Sequence, residues 1–297
     1  PAHVLKGKLA SGFRSSGMRN GLVVFQFSIS IALMAATLIV FEQLNFFQST
    51  SVGFEKENLL IISNADKLGK QLTSFRDEIS TYAGVTHAAV SMDIRGGFED
   101  IYMREGDEKK LSISAYKIDE HFFQTTKLSL ASGRTFDVNR PSDKNAVIIN
   151  ETTARFFEWT PEEALGKKII YLGDDVGAQE VIGVAKDFHF QSLRQKIQPF
   201  MFYNIHSNSY GNERIMLIRY NTNDLPHLMS SIEERWNELT EGTPFSISFY
   251  DEEVKMQYQQ EQRMASLMSI FTGLSITIAV IGLVGLVAYA TEQRRKE

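Results

Sequence analysis

The sequence predicts an α+β domain held between two membrane-spanning helices, and three observations predict it. Met264 to Thr291 runs for twenty-eight residues without a charged side chain, and Asn20 to Phe41 runs for twenty-two. At ~1.5 Å rise per residue, about twenty apolar residues cross the ~30 Å hydrocarbon core as a helix. The third observation lies between these runs, in Glu42 to Ala265, where a strand, helix, strand pattern occurs twice. A repeated unit of that kind suggests a split, ferredoxin-like sheet covered by two helices.

The flanks give the expected orientation. Lys6, Lys8, Arg14 and Arg19 precede the first span with no acidic residue among them, and Arg294, Arg295 and Lys296 follow the second, with Glu292 and Glu297. Basic residues beside membrane helices mark the cytoplasmic face, so both ends are expected there. The formal charge of the chain is −5; residues 1–20 carry +4 and 291–297 carry +1, which leaves −10 for the middle. The large middle domain is expected to be acidic and to face outward. An acidic face argues against nucleic acid as a partner, because duplex binding needs basic residues. With no cysteine in 297 residues, disulfides, thiolate metal sites and cysteine catalysis are excluded.

Residues 1–19 mix Val4, Leu5, Leu9, Phe13 and Met18 with basic and small residues, as expected of a short amphipathic segment at the cytoplasmic interface; a disordered basic tail is the alternative. The first span, residues 20–41, is too long for a signal-peptide core and has no small-residue cleavage site after it. Ser28, Ala32 and Ala36 recur every fourth residue along it and form a narrow stripe of small side chains. The second span, residues 266–290, offers Ser275, Ala279, Gly282 and Gly285 in the same role. Such stripes let another helix approach closely where lipid removes the hydrophobic drive for association. Gln26 is the one strongly polar side chain of the first span and is expected to meet headgroups or a neighbouring helix.

Helical spacing continues beyond both spans. Phe41, Leu44 and Phe47 extend the first into residues 42–56, and Val254, Tyr258 and Ala265 extend the second back through residues 251–265 without Gly or Pro. These are the expected stalks, with a short end at 291–297 on the cytoplasmic side.

The domain itself opens with the strand-like Leu59–Ile62. Leu68, Leu72, Phe75 and Ile79 then mark a helical face, and Val85–Met92 reads as a second strand. The pattern returns with a strand at Glu213–Tyr220, a helix over Asp224–Leu239 and a strand at Pro244–Tyr250. The two parts are expected at 57–94 and 200–250. Between them, residues 95–199 hold short strands and turns (SISAYKI, SGRTFD, NAVIIN, KKIIYL and AQEVIGVA), read as a small inserted α/β subdomain hinged near Gly96-Gly97 and Pro199.

Catalytic signatures are absent. There is no Gly-x-x-x-x-Gly-Lys-Ser/Thr, no Gly-x-Ser-x-Gly and no His-Glu-x-x-His, and the six histidines lack metal-ligand spacing. Asp187 and His189 approach an acid/base pair, but residues two apart on a strand more often share a structural hydrogen bond. Asn150-Glu151-Thr152 matches a glycosylation sequon, which carries little meaning beside a bacterial-looking topology. No catalytic, metal or cofactor residue is assigned, and the chain is not expected to be an enzyme.

Several stretches together resemble the FtsX-like, MacB-like ABC transporter permeases, above all the long tandem permeases of Bacteroidetes-type bacteria. They are LVVFQFSISI (22–31), GFEKENLL (53–60), SGRTF (132–136), VIINETTARFF (147–157), ALGKKI (164–169), IGVAKDFHFQSLRQKIQP (182–199) and GLVGLVAYATEQRRKE (282–297). The resemblance covers essentially the whole chain and matches the start of the second half of such a permease. It implies a porter-like subdomain of βαβ units with an inserted α/β subdomain. It also implies a separate cytoplasmic ATPase using ATP and Mg, and a second permease copy or half. Movement would pass through the stalks rather than cargo through a channel. Membrane lipid is the remaining expected partner. Residues contacting the ATPase are expected beyond Glu297.

Two function classes share this topology. One is a permease segment for extrusion of a peptide, lipid, lipoprotein or drug, to which regulation of a cell-wall hydrolase belongs by mechanism. The other is a sensor whose outer domain binds a ligand and signals through two helices. The sequence stretches favour the permease, and the substrate is not legible in them.

Overall fold

The computed structural model describes residues 12–49, 53–94, 96–173, 177–189, 196–208, 214–240, 242–257 and 259–296. It divides into two compact units, one of residues 1–50 with 257–297 and one of residues 51–256.

The first unit is a helix pair, α1 (Gly12–Ser49) and α7 (Gln259–Lys296), each of 38 residues. At ~1.5 Å per residue each helix is about 57 Å long, well beyond the ~30 Å of a bilayer core. The apolar windows long enough to cross a membrane are Gly21–Phe46 and Gln262–Ala288. The pair is antiparallel, since Ser30 meets Ser275 and Thr37 meets Thr272. Its contact face recurs every seven residues. On α1 the buried positions are Ser30, Thr37 and Leu44, with Val23, Gln26, Leu33 and Val40 half-buried between them; on α7 they are Ala265, Thr272 and Ala279, with Met268, Ser275, Gly282 and Leu286 half-buried. This 3–4 alternation is the seam of two helices wound gently about each other. The remaining faces are exposed and mostly apolar along both windows, and the exposed hydroxyls of Ser28, Ser266 and Thr277 each donate to a carbonyl of their own helix.

The second unit is built on a four-stranded antiparallel sheet. Its strands are β1 (Leu59–Ser63), β2 (Val85–Ser91), β10 (Ile215–Tyr220) and β11 (Ile247–Phe249), in the order β11-β1-β10-β2. The later unit therefore inserts its first strand between the two strands of the earlier one, the ferredoxin-like arrangement read from the repeated pattern. The four-residue run Leu59–Ile62 is apolar throughout because both faces of β1 are covered. Leu59 and Ile61 enter one core cluster with Leu217 and Tyr250, while Leu60 and Ile62 enter another with Met216 and Ile218.

Two helices close the second of these clusters. One is α2 (Leu72–Ile79), which follows a 3₁₀ turn at Ala65–Gln71; the other is α5 (Leu225–Leu239). The start of α5 is set by Asp224, whose side chain accepts from the His227 amide at 3.2 Å, with Pro226 in the first turn where its missing N–H costs nothing. Its end is tied by Thr240 Oγ1, which donates to the Trp236 carbonyl at 2.8 Å. Trp236 is fully buried, meets Phe75 of α2 edge to face at 6.1 Å, and donates Nε1–H to the Thr243 carbonyl at 3.0 Å.

Residues between β2 and β10 form a barrel. The strands are β3 (Phe98–Arg104), β4 (Lys110–Ile118), β6 (Ala146–Asn150), β7 (Lys168–Tyr171), β8 (Ala178–Ala185) and β9 (Phe200–Asn204). They pair as β4-β3-β7-β8-β6-β9, and β9 returns to pair with β4, so the ring closes. Closure leaves no free edge within the ring. A short strand β5 (Leu130–Gly133) adds to β8, and α3 (Phe122–Thr126) and α4 (Glu151–Phe156) complete the insertion. The four strands continue into the ring through a single bridge from β2 to β4, and the inserted portion extends past Pro199, where the sequence placed its end: β9 pairs with β4 and β6 and with none of β11, β1, β10 and β2. The reason is period-2 burial in β9, with Phe200 and Phe202 entering one core cluster and Met201 and Tyr203 the barrel's own.

Replacing Trp236 with Ala should lower domain stability by about 3–5 kcal/mol, read as a reduced urea midpoint. Replacing the exposed Glu233 on the same helix with Ala should change it by less than about 0.5 kcal/mol.

Candidate functional site

The place where the chain enters and leaves the central domain is one site, for a topological reason. β11 pairs with β1 in antiparallel register, Leu60 opposite Phe249, so the residues leading into β1 and those trailing from β11 lie side by side. The leading segment, Gly53–Asn58, and the trailing helix α6 (Tyr250–Gln257) meet at Phe54 and Tyr250, whose ring centroids are 5.3 Å apart. Tyr250 is buried in the core cluster that also holds Tyr116, Phe188, Phe200 and Phe202, and Val254 of α6 packs against the same cluster.

Gly53 permits this approach. Its φ is +95°, and a Cβ there would sit 2.6 Å from the Phe188 Cβ and 3.0 Å from the Asp187 carbonyl oxygen. Only glycine takes this conformation at this distance without displacing the neighbouring loop. Two stretches far apart in the sequence, GFEKEN and VAKDFH, are thus in direct contact.

Arg219 of β10 fastens the leading segment from beneath. It is 4% exposed, and its guanidinium donates to the backbone carbonyls of Thr125, Glu57 (2.8 Å) and Glu55 (2.6 Å), with the Glu55 carboxylate at 3.3 Å. The planar fork satisfies several acceptors at once, which an ammonium cannot do. Burial pulls the Arg219 pKa down from its ordinary value and Glu55 opposes that shift. Glu55 is held below the usual carboxylate range, first by the hydrogen bond from Lys127 and then by the charges of Lys127 and Arg219, against the opposing effect of burial. Two backbone bonds complete the fastening: Glu55 N–H to the Thr126 carbonyl at 3.0 Å, and Tyr220 N–H to the Asn58 carbonyl at 3.1 Å. On the trailing side, the Ser248 hydroxyl and a Glu253 carboxylate oxygen are 2.5 Å apart.

The sequence-predicted residues fall as follows. Ser275, Ala279 and Gly282 lie on the α7 face toward α1, with Gln26 Oε1 3.7 Å from where a Gly282 Cβ would be. Ser28 and Ala32 lie on the exposed face of α1, Ala36 is half-buried beside the seam, and Gly285 is exposed. Ser28 satisfies its own hydroxyl by donating to the Val24 carbonyl at 2.9 Å. Of the stalk residues, Leu44 and Ala265 are buried in the helix pair, Phe41 is exposed, Phe47 lies within α1, and Val254 belongs to the central domain; Tyr258 lies outside the described residues.

Asp187 is committed to α4. It accepts from the Thr152 amide at 2.8 Å, the Thr152 hydroxyl at 3.0 Å and Arg155 at 2.6 Å. Burial lowers the His189 pKa, and the charge of Asp187 opposes this. Asn150 is fully buried as the cap of α4, accepting from the Thr153 amide at 3.0 Å and donating to the Gln198 carbonyl at 2.9 Å, so its side chain offers no glycan attachment. Among the described residues no cluster of three or more His, Asp or Glu could hold a metal ion. Arg219 escaped sequence reasoning, although a lone arginine in the apolar strand IMLIRY is a signal that a buried acceptor set awaits it.

With this geometry described, comparison with known proteins places the chain. The profile of the MacB-like periplasmic core domain matches residues 22–234. The chain therefore belongs to the MacB/FtsX-like ABC transporter permeases that carry this domain. Similar solved structures include the periplasmic region of MacB from Actinobacillus actinomycetemcomitans, at 18% identity and TM-score 0.49, covering 69% of this chain and 94% of that one. A permease domain from Porphyromonas gingivalis shares 17% identity at TM-score 0.48, over 66% of this chain and 92% of that one. The extracellular domain of the noncanonic ABC-type transporter YknZ from Gram-positive bacteria shares 19% identity at TM-score 0.43, over 59% and 86%. No curated protein matches the chain.

Arg219→Ala should destabilise the domain by about 2–4 kcal/mol, because it strands buried carbonyls, and Arg219→Lys should recover only part of that loss. Glu55→Gln should cost less than about 1 kcal/mol, since its carboxylate is exposed and screened. Urea unfolding of the three variants checks this order; a Glu55 effect equal to that of Arg219 would contradict it.

Proposed function

We propose that this chain is a permease segment that couples ATP hydrolysis by a separate cytoplasmic ATPase, using ATP and Mg, to movement of its central domain. The observation that carries this reading is the single junction at which Gly53–Asn58 and α6 are fastened side by side. A displacement arriving along either passage reaches the same few contacts, and the contacts behind them are rigid sheet. The work done is export or extrusion of a peptide, lipid, lipoprotein or drug, by mechanical transmission and not by a catalytic group of this chain.

The membrane is the bacterial cytoplasmic membrane, with residues 42–265 in the periplasm and both ends in the cytoplasm. The basic residues at both flanks and the two apolar windows support this orientation. A second permease copy or half supplies the partner helices. The exposed small residues Ser28 and Ala32 lie on a face able to receive one.

Full-length protein drawn from native membranes in mild detergent should bring down a stoichiometric nucleotide-binding subunit with ATPase activity. Recovery of a histidine kinase in its place would turn the domain into a sensor. A Gly-Gly insertion after Gln257 should abolish transport while leaving membrane insertion and ATPase association intact. Undiminished transport by that variant would remove α6 from the transmission path.

A further inference from the structure

We infer that two hydroxyl pairs, Ser30 with Ser275 and Thr37 with Thr272, set the register of α1 against α7, so that the two helices travel as one antiparallel unit. The inference rests on the reading of both helices as membrane-spanning. The oxygens lie 2.6 Å apart in the first pair and 2.9 Å apart in the second. Ser30, Thr37 and Thr272 are buried in the seam.

Apolar packing is a poor source of register at this seam. Lipid is as apolar as the side chains, so burial in the seam gives no hydrophobic drive, and Ala265, Ala279 and Gly282 add little side chain to interlock between the larger Leu and Val positions. Hydroxyl pairs are different, because each needs its partner at one height. Along α7 the seam runs Ala279, Ser275, Thr272, Met268, with a hydroxyl only at its two middle positions. A slip of one helical turn in one direction moves Ser30 from Ser275 toward Ala279. A slip in the other moves Thr37 from Thr272 toward Met268. Either slip breaks both pairs and offers only one new hydroxyl pair in their place, Thr37 with Ser275 or Ser30 with Thr272.

The same geometry makes the lock inexpensive to form. Ser30 also donates toward the Gln26 carbonyl at 3.0 Å, and Thr37 toward the Leu33 carbonyl at 2.8 Å. The two α1 hydroxyls are therefore satisfied within α1 before α7 arrives, and pairing strands neither of them; the side-chain amide of Gln26, on the same seam, has no hydrogen-bond partner among the described residues. Ser28, two residues away on the exposed face, makes only its own back-bond to Val24 among the described contacts, so it is a built-in control.

The chain has no cysteine, so engineered pairs report without background. The full-length permease in native membranes, carrying Ser30→Cys with Ser275→Cys and a protease site between the helices, is oxidised with copper phenanthroline. Its cross-linking should be about tenfold or more faster than that of Ser28→Cys with Ser275→Cys, because a disulfide demands Cβ atoms ~3.5–4.5 Å apart. Equal rates would overturn the seam. Adding Thr37→Val and Thr272→Val should slow the Ser30/Ser275 cross-link by about threefold and raise that of Ser30→Cys with Ala279→Cys. An unchanged rate and no slipped product would overturn the register role. Alkaline carbonate extraction of the same membranes separates the two readings: an extractable protein with a normal cross-link pattern rejects the membrane assignment and leaves the seam standing.

Discussion

The pairing of β11 with β1 is the constraint on which the rest depends. Because β10 lies between β1 and β2, and β11 lies on the other side of β1, the first and last strands of the domain are neighbours. About 120 residues of barrel can be inserted between β2 and β10 without separating the two points at which the chain passes in and out. An arrangement with β1 and β11 at opposite edges would have set those passages a sheet's width apart, about three strand spacings of ~4.8 Å.

Around that pairing stand three unusual features. A glycine at positive φ stands where a side chain would collide with Phe188, an arginine is buried in a strand, and an aromatic pair spans the leading and trailing segments. Each answers a local problem of holding irregular backbone against the edge of the core. The carbonyls of Glu55, Glu57 and Thr125 have no strand to pair with there, and the Arg219 guanidinium gives them a donor set.

Much of this was legible in the sequence and some of it was not. The apolar runs, the two strand, helix, strand units and the helical face of Leu68, Leu72, Phe75 and Ile79 follow from periodicities of 3.6 and 2, and the structure has its helices and strands there. The barrel was not legible as a barrel: its closure is the pairing of β4 with β9, over eighty residues apart, and no local pattern encodes a long-range partner. For the same reason residues 200–204 were grouped with β10 and β11, whereas they pair with β4 and β6. On α1, a four-residue stripe of small side chains drew attention to Ser28 and Ala32, while the face toward α7 follows a seven-residue repeat carrying Ser30 and Thr37. Small residues mark where a helix can approach, but a seam is chosen by the whole 3–4 repeat.

The most direct test of mechanical transmission is hydrogen exchange at the junction in the membrane complex, comparing nucleotide-free and ATP-trapped states. The account predicts altered protection in residues 53–58 and 249–256, with the buried amides of Leu60–Ile62 unchanged. Identical exchange in both states would contradict it, since a domain that is moved through its junction cannot leave that junction untouched.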